Sequence, residues 1–330
     1  MKLSLQRKRQ NIRNLSCLII LVLGFSMAYL LINSYPHQPA LFQYILSLRI
    51  PNYIVMILAA IVIGGASMVF QTLIHNRIVT PCLLGMNTMY TLIHTLVVFG
   101  LGTGSIFVVN ANLSFLIDLI IMLLVAGIVY GYIFKKVKYN ILYILLIGTL
   151  LSSFFGSIQS TLIRLMDPNE YDTLLTSLVA DFNHVDTEVI VISILLLVSL
   201  MILLRNDLKL LDVLALGKNQ AINLGVDYER NVLRLLLGVV VCIAIATAMV
   251  GPISFLGLII ANLARQIFKT YRHDYLIIGA MLLRMLTILS GQFISQDFYH
   301  YEVPMSVFIT IGGGLYFLYL LLFQKGGMTS

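Results

Sequence analysis

The sequence predicts an all-α polytopic membrane protein of about ten transmembrane helices joined by short polar connections. Three observations predict it. Of 330 residues, 59% are hydrophobic and 11% charged, with a mean hydropathy of +0.96, whereas a soluble chain of this length needs far more charge to cover its surface. Apolar runs alternate with short polar stretches, and most of the runs approach the length of about 20 residues that crosses a bilayer. The basic residues fall in alternate connections, the pattern that orients a membrane protein.

The elements follow in order. Residues 1–14 form a basic segment, expected in the cytoplasm, and an apolar run covers 15–33. That run is about as long as a full span, so it reads as a retained helix rather than a signal peptide. Further spans are expected at 53–73, 87–108, 113–134, 141–163, 187–204, 231–250, 252–265, 275–294 and 303–323. The eighth is short for a crossing. Removing it would put Arg265, Lys269 and Arg272 on the far side and spoil the charge pattern, so it is kept. With the N-terminus inside, all basic residues but Arg49, Arg164 and Arg284 lie within, while 165–188 outside carries Asp167, Glu170, Asp172, Asp181, Asp186 and Glu188. The net charge of +7 therefore reports orientation rather than a nucleic-acid partner. Between 165 and 186 the apolar Leu174, Leu175, Leu178, Val179 and Phe182 suggest an amphipathic surface helix. No linker or low-complexity stretch divides residues 1–330, which read as one transmembrane domain.

Several chemistries find no support. Gly217-Lys218 looks like the tail of a phosphate-cradling loop, but the earlier glycine position is Asp212 and Asn219 follows the lysine. Cys17, Cys82 and Cys242 have no paired spacing and read as small apolar residues, and no metal-ligand motif is present. The six histidines (37, 75, 94, 184, 273 and 300) are scattered and are expected at surfaces or interfaces. Asp118 and Arg284 are the intramembrane charges. Asp118 is expected to reach water near a span end, and Arg284, mid-span, needs a partner or an aqueous cavity. Without a chain of such groups, an ion-coupled secondary transporter is the weaker reading.

Two features carry the functional argument. Gly148, Ser152, Gly156 and Ser160 recur every four residues on the fifth span, which suits close helix packing or a solute path, and Asn87 after Gly85 could face the same cavity. Second, "VLALGKNQAINLGVDYERN" (213–231) is a polar gap in an oily chain. Between Gly217 and Gly225 there is room for about two helical turns, and Gly225 suits the left-handed residue that ends a helix. Leu214, Leu216, Ala221, Ile222 and Leu224 give this piece an apolar face. From the residues alone it either lies on membrane lipid or docks a cytoplasmic partner.

The motifs resemble those of the FecCD/BtuC-like permeases, the membrane subunits of ATP-driven importers for iron–siderophores, haem and vitamin B12. Leu216-Gly217, Ala221 and Leu224-Gly225-Val226 match the family's "LG-x-x-x-A-x-x-LGV"; Gly251 to Leu258 match "GPI-x-F-x-GL"; Asn262 to Arg265 take the place of "HLAR". Leu48 to Pro51 give "LR-x-P", Cys82 to Gly85 stand for "GLLG", and Glu302 and Pro304 give "E-x-P". The variants are most similar to one half of heteromeric petrobactin/anguibactin-type permeases. The resemblance implies ten spans with short cytoplasmic coupling helices, residues 205–230 being the coupling segment. It implies that Leu214, Leu216, Gly217, Ala221, Leu224 and Gly225 contact an ATP-binding subunit, which carries the ATP and magnesium. This chain itself would bind no cofactor and hydrolyse nothing. It further implies a sister permease, as a heterodimer or a homodimer, and an extracytoplasmic siderophore-binding protein docked partly on Arg49. The location implied is a bacterial cytoplasmic membrane, with both termini inside, and haem or a cobalamin is the alternative cargo. The chain departs from the family at Asn52, Lys218, Asn262 and Ser295.

Overall fold

The computed structural model describes residues 2–32, 38–76, 79–136, 141–183, 185–253, 256–299 and 303–323. Arg77, Lys138 and Lys325 of the basic set, Ser254 and Phe255 of the "GPISFLGL" stretch, Glu302, and His37, His184 and His300 lie outside them. The described chain is almost wholly helical. Its helices are α1 (Lys2–Leu31), α2 (Pro39–Ile74), α3 (Met86–Leu101), α4 (Ile106–Val109), α5 (Ala111–Lys136), α6 (Ile141–Leu165) and α7 (Pro168–Ser177). They continue with α8 (Thr187–Lys209), α9 (Leu211–Leu214), α10 (Lys218–Asn223), α11 (Tyr228–Val250), α12 (Leu256–Ile267), α13 (His273–Asp297) and α14 (Met305–Phe323). Among the described residues seven helices are long and apolar enough to cross a membrane, and α3, α12 and α14 are shorter apolar helices. Each of the ten expected spans thus has a helix.

Three boundaries differ from the sequence reading. The helix expected from residue 53 begins at Pro39 and runs 36 residues straight through Pro51. Proline normally marks a helix boundary because it lacks an N–H and crowds the preceding turn. Here it costs one bond in a helix of about 54 Å, far longer than the hydrocarbon core of about 30 Å. The span expected over 87–108 stops at Leu101, where Gly102 takes a φ of 79° that other residues resist, and a single turn, α4, follows. The short eighth span is a 12-residue helix, about 18 Å long, entered from non-helical backbone at 251–253. Irregular backbone at membrane depth must be covered by protein. The 178–183 segment supplies that cover: Asp181 N–H donates to Val250 O at 2.9 Å, and Gly251, at φ 95°, leaves room for Ala180 against it.

α2 and α13 lie side by side, with α1, α11 and α12 packed around them. The α2–α13 contact is made by Gly64: a methyl group there would stand 3.1 Å from Ala280 O and from the Met281 Cα. Glycine is required because backbone atoms cannot move aside. α11 bridges α2 to α5 and α8, and α3 joins α5 and α6. At one end of the bundle the base of α13, the end of α2 and the start of α1 meet α9 and the α12–α13 connection. Lys218, Arg265, Lys269 and Arg272 belong to this basic end. The opposite end carries α7, whose Asp167 caps the helix by accepting from Asn169 N–H at 2.9 Å and whose Leu174 is buried. The amphipathic helix read between 165 and 186 is therefore present.

The intramembrane charges depart from expectation. Asp118 is buried and 3.2 Å from Nδ1 of His94, itself buried and stacked on Tyr90, and the pair lines a pocket of about 270 Å³. His273 is likewise buried, so the histidines expected at surfaces or interfaces include two that lie between helices. A buried polar group needs a partner, and each of these has one. Arg284 is fully buried, and among the described residues its guanidinium nitrogens meet no hydrogen-bond acceptor.

Replacing Gly64 by Val should destabilise the protein by about 1–3 kcal/mol, as overpacking against a fixed backbone does. Gly127, which has nothing within 4 Å of an added Cβ, is the control. Thermal unfolding in detergent should show a lowered midpoint for Gly64→Val and none for Gly127→Val.

Candidate coupling surface and translocation path

The glycine-bounded element follows from its sequence. Gly217 has φ 95° and Gly225 φ 80°, both disfavoured for side chains. α10 ends in a Schellman motif: Val226 N–H donates to Ala221 O at 3.0 Å and Gly225 N–H to Ile222 O at 2.9 Å. Two such hinges hold a short helix that isolated propensity could not sustain. Its residues divide by face. Leu214 and Ala221 are buried within the chain, whereas Leu216, Ile222 and Leu224 are 52%, 51% and 61% exposed. Of the six residues expected to touch a partner, Leu216 and Leu224 are available and Gly217 and Gly225 shape the backbone. Leu214 and Ala221 instead anchor the element. Ile222, which the sequence reading noted as apolar but did not assign, completes the exposed face. Lys218, unusual at its position, bonds Glu229 at 2.7 Å and ties α10 to the first turn of α11. Both groups are half exposed, so the pair contributes little to stability.

At the opposite end a cavity of about 840 Å³ opens between α2, α13 and the 179–183 segment. Arg49, Asn52, Asn183, Gln292, Ser295 and Gln296 give it a polar wall. Arg49 does not stand in a loop: it projects from α2, and its Nη1 donates to Tyr29 O at 2.8 Å and Ile32 O at 2.6 Å. A guanidinium there satisfies the last carbonyls of α1 and matches that helix's negative end. Ser295, where the resemblance would place another arginine, donates to Val303 O at 2.7 Å.

The fifth-span stripe divides. A Cβ on Gly85 would lie 2.9 Å from Ser152 Oγ and 3.3 Å from Gly148 O, so these three residues meet as a close helix contact. Tyr130 reinforces it by donating to Leu84 O. Asn87, at the start of α3, is half-buried. Gly156 has nothing within 4 Å of an added Cβ and Ser160 is exposed, so these two face outward. The exposed stripe sits one residue over: Thr149, Ser153, Ser157 and Thr161 are all exposed, at intervals of four. Each hydroxyl donates to a carbonyl one turn back, at 2.8–3.1 Å. The same spacing was readable in the sequence, but glycines drew attention to the neighbouring row. α6 as a whole is among the least buried of the long helices.

Comparison with known proteins agrees with this architecture. The FecCD transport family matches residues 14–323. The chain is 35% identical over 316 residues to the petrobactin import system permease protein YclO of Bacillus subtilis, covering 96% of this chain and 98% of that one. It is 31% identical to the petrobactin import system permease protein FatC of Bacillus anthracis, covering 93% and 87%. A solved inward-facing structure described as of metal-chelate ABC transporter type shares the fold, with a TM-score of 0.79 at 22% identity over 96% of this chain and all of that one. A match over nearly the whole length, on a bundle with this order of long and broken helices, means that the chain belongs to the FecCD transport family.

Proposed function

We propose that this chain is the membrane permease subunit of an ATP-driven importer for iron–siderophore complexes. The observation that carries the reading is the glycine-bounded α10, which holds Leu216 and Leu224 and the adjoining Ile222 out from the basic end of the bundle. An exposed apolar face on a short rigid helix fits a groove on a partner protein, and the partner assigned to it is an ATP-binding subunit carrying ATP and magnesium. This chain then supplies passage and no chemistry. Family membership and the petrobactin relatives support the cargo class, with haem and cobalamin as the competing cargoes. The basic end is placed in the cytoplasm of a bacterial cell, with both termini there, because basic residues are retained on that side.

Two further partners follow. Exposed apolar faces on α6 and α14 suit a sister permease, so that the hydroxyl row of α6, with Gly156 and Ser160 beside it, lines a path between two subunits. The polar cavity around Arg49 at the outer end suits an extracytoplasmic binding protein that delivers the chelate. A sister chain would supply further arginines, in keeping with Asn52 and Ser295 here.

Leu224→Asp and Ile222→Asp should insert normally but lose the ATPase subunit in a pull-down; recovery of the subunit at the wild-type level counts against the docking face. Ala221→Asp, at a buried position, should instead lower the thermal midpoint. Ser157→Trp should block uptake of labelled ferric siderophore by cells with the ATPase still bound, and unchanged uptake would remove α6 from the path. Competition with unlabelled haem and cobalamin identifies the cargo, and uptake driven by an ion gradient with no ATPase present would overturn the whole reading.

A further inference from the structure

We propose that Asp212 and His273 form the joint through which the coupling segment moves the α2–α13 pair. The inference rests on the coupling role proposed above and adds the residues that pass the motion on. Asp212 lies in α9, just ahead of the docking face. Its Oδ1 accepts from the backbone N–H of His273 at 2.9 Å and from Nδ1 of the same residue's ring. On the other side of the ring, Nε2 lies 3.1 Å from Thr72 Oγ1. Thr72 gives its own proton to Met68 O at 2.8 Å, so its oxygen is left to accept. The ring of His273 thus bridges a carboxylate on one side and a hydroxyl on the other. One ring binds three elements: α9, the first residue of α13 and the last turn of α2.

A second histidine grips the same segment. His75 caps α2 at φ 56°, a left-handed conformation that non-glycine residues seldom adopt, and its Nε2 reaches Ala215 O at 3.2 Å. Both contacts border a cavity of about 640 Å³ at the basic end, which leaves the ring of His273 beside free volume rather than locked in apolar packing. Leu211 and Leu214, fully buried, keep α9 attached by packing alone. The polar joint is thus not needed to hold the segment in place. It fixes direction: hydrogen bonds to a carboxylate are strong and angular, while leucine contacts slide. Beyond the joint, α2 and α13 run touching at Gly64 to the far end, where Arg49 from α2 and Gln292 from α13 wall the large cavity. Movement at Asp212 reaches that cavity through two helices that move as one.

The test uses the complete complex in liposomes, with this chain, a sister permease, the ATPase subunit and the binding protein. ATP hydrolysis and uptake of labelled ferric siderophore are measured together. Asp212→Asn and His273→Gln should assemble and hydrolyse ATP, but chelate imported per ATP should fall roughly tenfold, within the range usual for coupling between sites. The double variant should fall no further than the worse single one, since both remove the same contact. Asp212→Glu, which keeps the carboxylate, should recover part of the loss. Unchanged chelate per ATP, multiplying losses in the double variant, or Asp212→Glu behaving as Asp212→Asn would overturn the joint. Loss of the ATPase subunit from the single variants would also overturn it, because Asp212 would then serve docking. A wild-type complex that imports no chelate on ATP needs no variant to be recognised, and it sinks the function proposed above instead.

Discussion

At Gly64 two transmembrane helices touch backbone to backbone, and the rest of the bundle is arranged around that contact. Without a Cβ at this point α2 can lie against Ala280 and Met281. In a bilayer there is little hydrophobic force between helices, so close van der Waals approach of this kind does much of the work of association. The pair then offers one long surface on which α1, α11 and α12 pack. An element that contacts the base of both helices is therefore connected to most of the structure. This is why His75 and His273, which both contact the 212–215 stretch, sit where they do.

The second constraint is the need to satisfy polar groups away from water. The break between α11 and α12 is tolerated because Asp181 bonds the last carbonyl of α11 from a neighbouring segment. Arg49 closes the end of α1, and Asp118 is met by His94. Each break or buried charge has been placed beside the element that answers it. Arg284 is an exception: among the described residues its buried guanidinium meets no acceptor.

Much of this was legible in the sequence. Hydropathy placed a helix at each expected span. The two glycines of "VLALGKNQAINLGVDYERN" (213–231) bounded a helix before any coordinates did, because positive φ is nearly their private territory. What failed was whatever depends on distant partners. The span expected from residue 53 begins at Pro39 instead, since local rules cannot see that the helix has packing enough to run through Pro51. Ala221 read as part of a contact face, but burial is decided by which side of α10 meets α9 and α11. His94 and Asp118 are 24 residues apart on different helices, and nothing near either one announces the other.

The hydroxyl row on α6 has a consequence for how cargo would travel. Thr149, Ser153, Ser157 and Thr161 each spend their proton on their own helix. They remain wettable through their lone pairs, yet have no proton free to grip a passing oxygen. A bulky hydrated chelate would slide over such a wall without forming bonds that must later be broken. If the row lines the path proposed above, such a non-stick wall would leave recognition to the protein that delivers the cargo and would let the conduit empty quickly.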